Sequence, residues 1–489
     1  MAAARGGGAR RLSSSAASAR ERRNRRRREL RLQRKREREE EQQQQPEEAD
    51  DDDPDSSSDP PPSPATLLPL LASAAASSLR FLADHDLLLL PSQTLSLESA
   101  LSRLRSLLLE PPFPPPPPPP PSTAATTGGG GPGREVGRCW FLRFLASTAS
   151  DGSDPRWVEA FRMSRPSFYL LLQTLAPSLS PHPSSSSPSP SPSPPLDHKL
   201  GAALFRLAHA APFRTVARRF GLVGGPPAAC RAFYEVCRSV VGGLGHLFEL
   251  PSDAERVAQG FRWAVSLPNC GGVLGFPRFG AGSGSGSGDG GVMAQVVVDS
   301  EGRFLDVSAG WPGSIPPAQI LPRTQLFSAQ ANALASVTGG HDGNGVPGSS
   351  LPRYFLGGSY CPLLPWLLTP FPDSDNSEDD PSRRVFNEVH ARGMELAEKA
   401  VGAVRARWRL LLVRWSAECR EALPFVIVVS CLLHNFLFKC SELVADDEVF
   451  ELTGEERFPD FEGKGDEVGE SVREDLAAHL YSVSQKGLS

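Results

Sequence analysis

The chain has 489 residues, with 51 Lys and Arg against 56 Asp and Glu and a formal net charge of −5. That length admits two or three domains and one core of good size. Its eight cysteines are scattered without CxxC or His–Cys spacing, which excludes a disulfide framework and a zinc site and fits a reducing compartment.

Residues 1–65 are low complexity, are expected to be disordered and are assigned no fold. The run RERRNRRRRELRLQRKRER, residues 20–38, is almost all basic, and the EEEQQQQPEEADDDDPD after it is strongly acidic. Arg22, Arg23, Arg25, Arg26, Arg27, Arg28, Arg34, Lys35 and Arg36 read as a nuclear localisation signal or a nucleic-acid contact, since Arg clusters attract phosphate without reading sequence. A solubilising tail is the plainer reading. The polar, Arg-rich start shows no secretory signal.

Residues 66–110 carry Leu and Ala at helical spacing. Two helices are expected there, either a docking hairpin for a partner or a pair packed on the rest of the chain. A polyproline and then Gly-rich linker follows at 111–135, stiff first and flexible after. Residues 136–250 read as helical, interrupted by a Pro/Ser-rich insertion at 177–195; Ser164, with Pro166 two residues on, marks a helix start. Helix, short turn and helix around GLVGGPP, with Arg214, Arg218 and Arg219 exposed, fit a helix-turn-helix. The Gly-Gly-Pro-Pro insertion sits where a recognition helix should begin, and a plain helical scaffold is the alternative.

From about residue 260 the texture turns strand-rich. CGGVLGFPRF, VMAQVVVD, GRFLDVSAGW and PRYFLGG have strand composition, Asp299–Gly302 reads as a turn, and GAGSGSGSGDGG (280–291) as a flexible loop. Helices are expected at 361–370, 384–418 and 422–440. The apolar run Phe425–Phe438 is too short to span a bilayer comfortably and contains His434 and Asn435, so it reads as a buried element with no membrane role. Residues 251–441 form one α/β unit in this reading, and the acidic stretch 442–489 is expected to be an extended tail. Composition alone does not choose among mixed folds.

The ordered blocks FRMSRPSFYLLL, TVARRFGL, LPNCGGVLGF, VVVDSEGRFLDVSAGWPGS, YFLGGSYCPLLPWLLTPF, FNEVHARGMELAEKAVGAVRARW and SCLLHNFL carry a more specific signal. Across residues 138–440 they resemble PIF/Harbinger transposases of the DDE nuclease superfamily. They are more similar still to domesticated plant relatives, the antagonists of like-heterochromatin protein. The resemblance implies an α/β ribonuclease-H-like transposase core preceded by a helical, helix-turn-helix-like region. It also implies phosphodiester cutting by two Asp and one Glu that hold divalent metal. Such chemistry uses two metal ions about 3.5–4 Å apart, held by hard carboxylate oxygens.

In that alignment of blocks the two family Asp positions fall on Gly275 and Gly358, and the Glu falls on Glu398. A family His-Asp pair falls on Pro316 and Pro317. Glycine offers no ligand, so no catalytic set is intact, Glu398 is vestigial, and neither metal nor other cofactor is expected. Asp299 reads as turn chemistry and Asp306 as facing away from the packed side, so neither is expected to substitute. Glu398 lies at the edge of the stripe formed by Val389, Leu396, Ala397, Ala400, Val401, Val404 and Leu411, a place for a site acid or a solvated flank residue. His434 and Asn435 read as a buried hydrogen-bonded pair. Arg405, Arg407, Arg409 and Arg414 are candidate phosphate contacts or an ordinary solvated face.

The leading reading is a domesticated, catalytically inactive transposase acting in the nucleus as a chromatin-associated interaction protein. The resemblance implies Polycomb complex subunits or a Myb-like protein as partners. A divalent-metal-dependent nuclease is one alternative, against which Gly275 and Gly358 stand. A residual DNA-binding module, using the basic arm and the Arg-rich helices, is the other.

Overall fold

The computed structural model describes residues 64–84, 89–109, 139–148, 154–179, 194–248, 254–280, 291–338, 351–372, 380–415, 417–442 and 458–486. The basic and acidic runs before residue 64, the 111–135 linker, most of the Pro/Ser-rich insertion and the loop at 281–290 lie outside these residues. The chain divides into two units, residues 1–67 and 68–489, the first described only at 64–67.

Two helices, α1 (Pro64–Asp84) and α2 (Pro91–Leu109), come first, as their Leu and Ala spacing predicts. Six helices follow: α3 (Trp140–Ser147), α4 (Pro155–Phe161), α5 (Arg165–Leu179), α6 (Leu196–His209), α7 (Phe213–Arg219) and α8 (Gly225–Leu244). Aromatic residues at helical spacing bring their rings together here. Phe141 sits 6.0 Å from Phe161 and 5.1 Å from Phe220, and Phe168 sits 5.3 Å from Phe161. Asp154 caps α4 by accepting from the Arg156 N–H, with Pro155 at the first helical position. Ser164 immediately precedes α5, as the sequence predicts. That helix runs on through Pro177 to Leu179, so the insertion begins later than expected.

Helix α9 (Ala254–Val265) leads into a six-stranded sheet: β1 (Cys270–Gly275), β2 (Arg278–Phe279), β3 (Val292–Val298), β4 (Phe304–Pro312), β5 (Tyr354–Leu356) and β6 (Leu367–Leu368). The order across the sheet is β4-β3-β1-β5-β6, with β2 also pairing with β3. β1 with β3 and β3 with β4 are antiparallel; β1 with β5 and β5 with β6 are parallel. A hairpin followed by parallel strands on the far side of β1 fits an α/β core of the ribonuclease-H kind. The short α10 (Pro317–Ile320) and then α11 (Gln325–Thr338) separate β4 from β5. The helix expected at 361–370 is absent; Pro362, Pro365 and Pro370 break a helical ladder, and Leu367 and Leu368 are buried as β6 beside Phe355 and Leu356.

Helix α12 (Pro381–Arg407) starts at an Asp380 cap and packs on β1. The stretch Cys419–Lys439, most of it helix α13 (Leu423–Lys439), is long and apolar enough to cross a membrane by length and composition, yet its Val426, Ile427, Leu432, Leu433 and Leu437 are buried in the core. Its His434–Asn435 pair fastens the sheet. Asn435 accepts from Phe304 N–H at 3.0 Å and donates to Phe304 C=O at 2.7 Å and to Leu247 C=O at 3.2 Å. His434 Nε2–H donates to Gly302 C=O at 3.1 Å.

The expected extended tail is corrected at its far end. Helix α14 (Glu467–Lys486) buries Val472, Leu476, Ala477 and Leu480 and packs on α12. Its i, i+4, i+8 apolar spacing sits inside an acidic composition that masks it. Arg383 pairs with Glu474 at 2.7 Å across this contact.

Candidate functional site

The sheet register brings the three family positions together. Val273 on β1 pairs with Leu356 on parallel β5. Two residues further on, Gly275 and Gly358 therefore leave the sheet at the same level. Gly275 pairs with Val296, and a Cβ built on it would lie 3.4 Å from Val296 Cγ2 and 3.7 Å from Ala397 Cβ. The next residue on α12 is Glu398, exposed to solvent. The three positions that the sequence singled out thus lie on neighbouring elements, and Glu398 alone of them carries a carboxylate. Pro317 is buried at the start of α10 and supplies no donor.

An aromatic cluster occupies the remainder. A Cβ on Gly358 would fall in the Tyr360 ring, 2.6 Å from its Cζ. The edge of Phe276 meets that ring at 6.0 Å and 88°, and Phe458 covers it at 5.1 Å. The Arg278 guanidinium lies 3.9 Å over Phe458. Burial, and then the neighbouring Cys361 and Glu398, pushes the Tyr360 phenol well above its ordinary value, so it stays neutral.

Phe458 belongs to a strap, residues 458–466, that runs over the β5–β6 connection. Phe461 N–H donates to Ser359 C=O at 2.9 Å, Ser359 Oγ donates to Asp460 at 2.5 Å, and Asp466 N–H donates to Leu363 C=O at 3.1 Å. The strap carries Asp460, Glu462 and Asp466 against one cation, Lys464. The strap therefore adds net negative charge beside Tyr360.

A divalent ion does not fit this donor set. Gly275 and Gly358 have no side chains, and of the three positions Glu398 alone offers a carboxylate. Among the described residues, no group of three His, Cys, Asp or Glu side chains is placed to hold a metal. Neither nearby Asp completes the set. Val296 pairs with both Gly275 and Val307, whereas Asp306 pairs with Val297, one residue out of phase. Alternation puts Asp306 on the opposite face of the sheet from Gly275. There it accepts from Gln295 Nε2 at 3.4 Å, and burial pushes its carboxyl up. Asp299 stands beyond Val298, which pairs with Val273, at the other end of β1 from Gly275. It accepts from the N–H groups of Glu301 and Arg303 and pairs with the Arg303 side chain at 2.8 Å, which is turn chemistry.

The candidate phosphate contacts divide. Arg214 and Arg409 are exposed. Arg218 is engaged by Glu98 at 2.6 Å. Three expectations are corrected by burial. Arg219 is 1% exposed, lies over the Trp140 and Phe205 rings and is 3.6 Å from Glu98. Arg405 is 3% exposed, donates to Arg278 C=O and lies over the Phe279 ring. Arg407 is likewise buried and donates to Glu442 C=O at 2.6 Å. Amphipathic Arg stems pack readily against aromatic surface, which sequence spacing cannot distinguish from a solvated face. The N-terminal basic run lies outside the described residues.

Residues 287–435 match the DDE superfamily endonuclease family. That stretch resembles a DDE endonuclease domain. The chain is 26% identical over 362 residues to Protein ALP1-like of Arabidopsis thaliana, covering 70% of this chain and 85% of that protein. It is 28% identical over 321 residues to Antagonist of Like Heterochromatin Protein 1 of the same plant, covering 63% and 79%. It is 27% identical over 146 residues to HARBI1 of Mus musculus, covering 29% and 35%. No solved structure matches the chain. The Harbinger-type resemblance of the sequence blocks holds. What the blocks did not reveal is the filling of the DDE site by Tyr360 and Phe458. The available signals were the aromatic residue two places after Gly358 and the FPDF run in the acidic C-terminal stretch.

Proposed function

We propose that the chain is a domesticated, catalytically inactive Harbinger-type transposase that acts in the nucleus as a chromatin-associated interaction protein. The observation that carries the loss of catalysis is the Tyr360 ring lying where a side chain on Gly358 would project. The chromatin role is supported by likeness to Antagonist of Like Heterochromatin Protein 1, whose name sets it against a heterochromatin protein. Polycomb complex subunits and a Myb-like protein are the partners this reading puts forward.

Two measurements test it. Supercoiled plasmid is incubated with the full chain and Mg²⁺ or Mn²⁺, beside Glu398→Ala. Equal, background-level nicking by both is expected; metal-dependent nicking abolished by Glu398→Ala overturns the reading in favour of a nuclease. Affinity purification from nuclease-treated nuclei should recover chromatin proteins. Partners that appear only when DNA is left intact would favour a DNA-binding module instead.

A further inference from the structure

Nine of the eighteen exposed large apolar residues among the described residues fall between Leu68 and Leu107, on α1 and α2 and their connection. The hairpin is moored by one face. Thr94 and Glu98 of α2 are buried, Glu98 holds Arg218 at 2.6 Å and Arg219 at 3.6 Å, and Ser92 N–H donates to Glu159. Beside that face opens an apolar groove of about 610 Å³, with Phe81, Leu82, Leu97, Ala100, Leu101 and Leu104 in its lining. The four α2 residues follow i, i+3, i+4, i+7 spacing, the imprint a partner helix's stripe would need.

The charge on its rim selects the partner. Arg80 and Arg103 are exposed, and each stands three residues from a lining residue, Ser77 and Ala100, on its own helix. Neither is in an ion pair among the described residues, because the hairpin's Glu98 is turned inward to Arg218 and Arg219. We propose that this groove docks an amphipathic helix of a partner protein, an apolar stripe flanked by carboxylates. This rests on the interaction-protein reading and gives it a surface and a ligand chemistry.

The test uses the full chain and a fluorescein-labelled synthetic helix of about five turns, with Leu at i, i+3, i+4 and i+7 and Glu on both flanks. A matched helix carries Lys on the flanks. Fluorescence anisotropy should show saturable binding of the Glu helix, at least about tenfold tighter than the Lys helix. Arg80→Glu with Arg103→Glu should reverse that order. Leu97→Ser with Leu104→Ser should abolish binding with unchanged circular dichroism, since both side chains are exposed. Equal affinity for the two helices, or binding indifferent to the Leu changes, overturns the proposal. So does sedimentation as a dimer that the Leu changes dissociate, which would give the groove to a second copy. Plasmid cleavage by the wild-type chain would overturn the inactive-transposase reading and leave the binding result standing.

Discussion

Replacing Gly358 by alanine tests whether the Tyr360 ring holds the vacated ligand position. The added Cβ would lie 2.6 Å from Tyr360 Cζ, well inside contact distance. The ring cannot simply swing away, because Phe276 and Phe458 pack against it at 6.0 and 5.1 Å. Forcing an extra carbon into such packing costs about 1–3 kcal/mol. Tyr360→Ala alone should cost about 3–5 kcal/mol, the range for deleting a packed aromatic ring. In the double variant the collision is gone. Gly358→Ala should then be neutral, or stabilising by about 0.4–1 kcal/mol, because alanine restricts the unfolded chain. The second substitution therefore changes the sign of the first, a coupling of about 1–3 kcal/mol read from urea midpoints in a double-mutant cycle. Additive effects would mean that the ring does not occupy the position, and the argument for a filled site would fail with it.

Asn435→Ala removes three bonds and leaves both backbone groups of Phe304 without that partner, so it should lower stability by about 3–5 kcal/mol; an unchanged urea midpoint would refute the fastening role. His209, His390 and His434 are held neutral mainly by burial, at about 3, 4 and 4, below the ordinary value of 6.5. Their folded values lie below the unfolded one, so the stability they secure is complete above pH 6.5 and lost as pH falls toward 4. At pH 5 each should cost about 2 kcal/mol, together a large fraction of a normal domain's stability, and a flat urea midpoint between pH 7 and pH 5 would contradict this. Arg219→Gln and Arg405→Gln should destabilise by about 2–4 kcal/mol, because each removes a buried charge from its partners, whereas Arg214→Gln on the surface should leave the melting temperature unchanged.

Much of the DDE domain was legible because its blocks are core-forming. The strands around Val273, Val297 and Phe355 declare themselves by β-branched and aromatic content, and α12 by its stripe from Val389 to Val404. The same blocks singled out Gly275, Gly358 and Glu398; the register sets Gly275 level with Gly358, and Ala397, the neighbour of Glu398, lies against Gly275. What stayed hidden depends on contacts distant in sequence. Phe458 meets Tyr360 across about a hundred residues, and no local pattern announces that pairing. Arg219 and Arg405 look solvated in a helical projection, since a guanidinium that lies on a ring has the same spacing as one in water. The α14 stripe was obscured because Glu467, Glu470 and Glu474 surround it with charge.

The filling of the site follows from electrostatics as much as from packing. Three carboxylates that converge without a cation repel one another, and a fold that keeps them without metal must hold at least one protonated. Glycine at positions 275 and 358 carries no charge, and Glu398 remains exposed on α12. The empty volume this leaves would be a cavity at the end of a sheet, lined on one side by Val296 and Ala397. Tyr360, Phe276 and Phe458 convert that liability into buried aromatic contact, and the strap bonds to Ser359 and Leu363 secure it. The acids on the strap, Asp460, Glu462 and Asp466, add net negative charge beside this cluster.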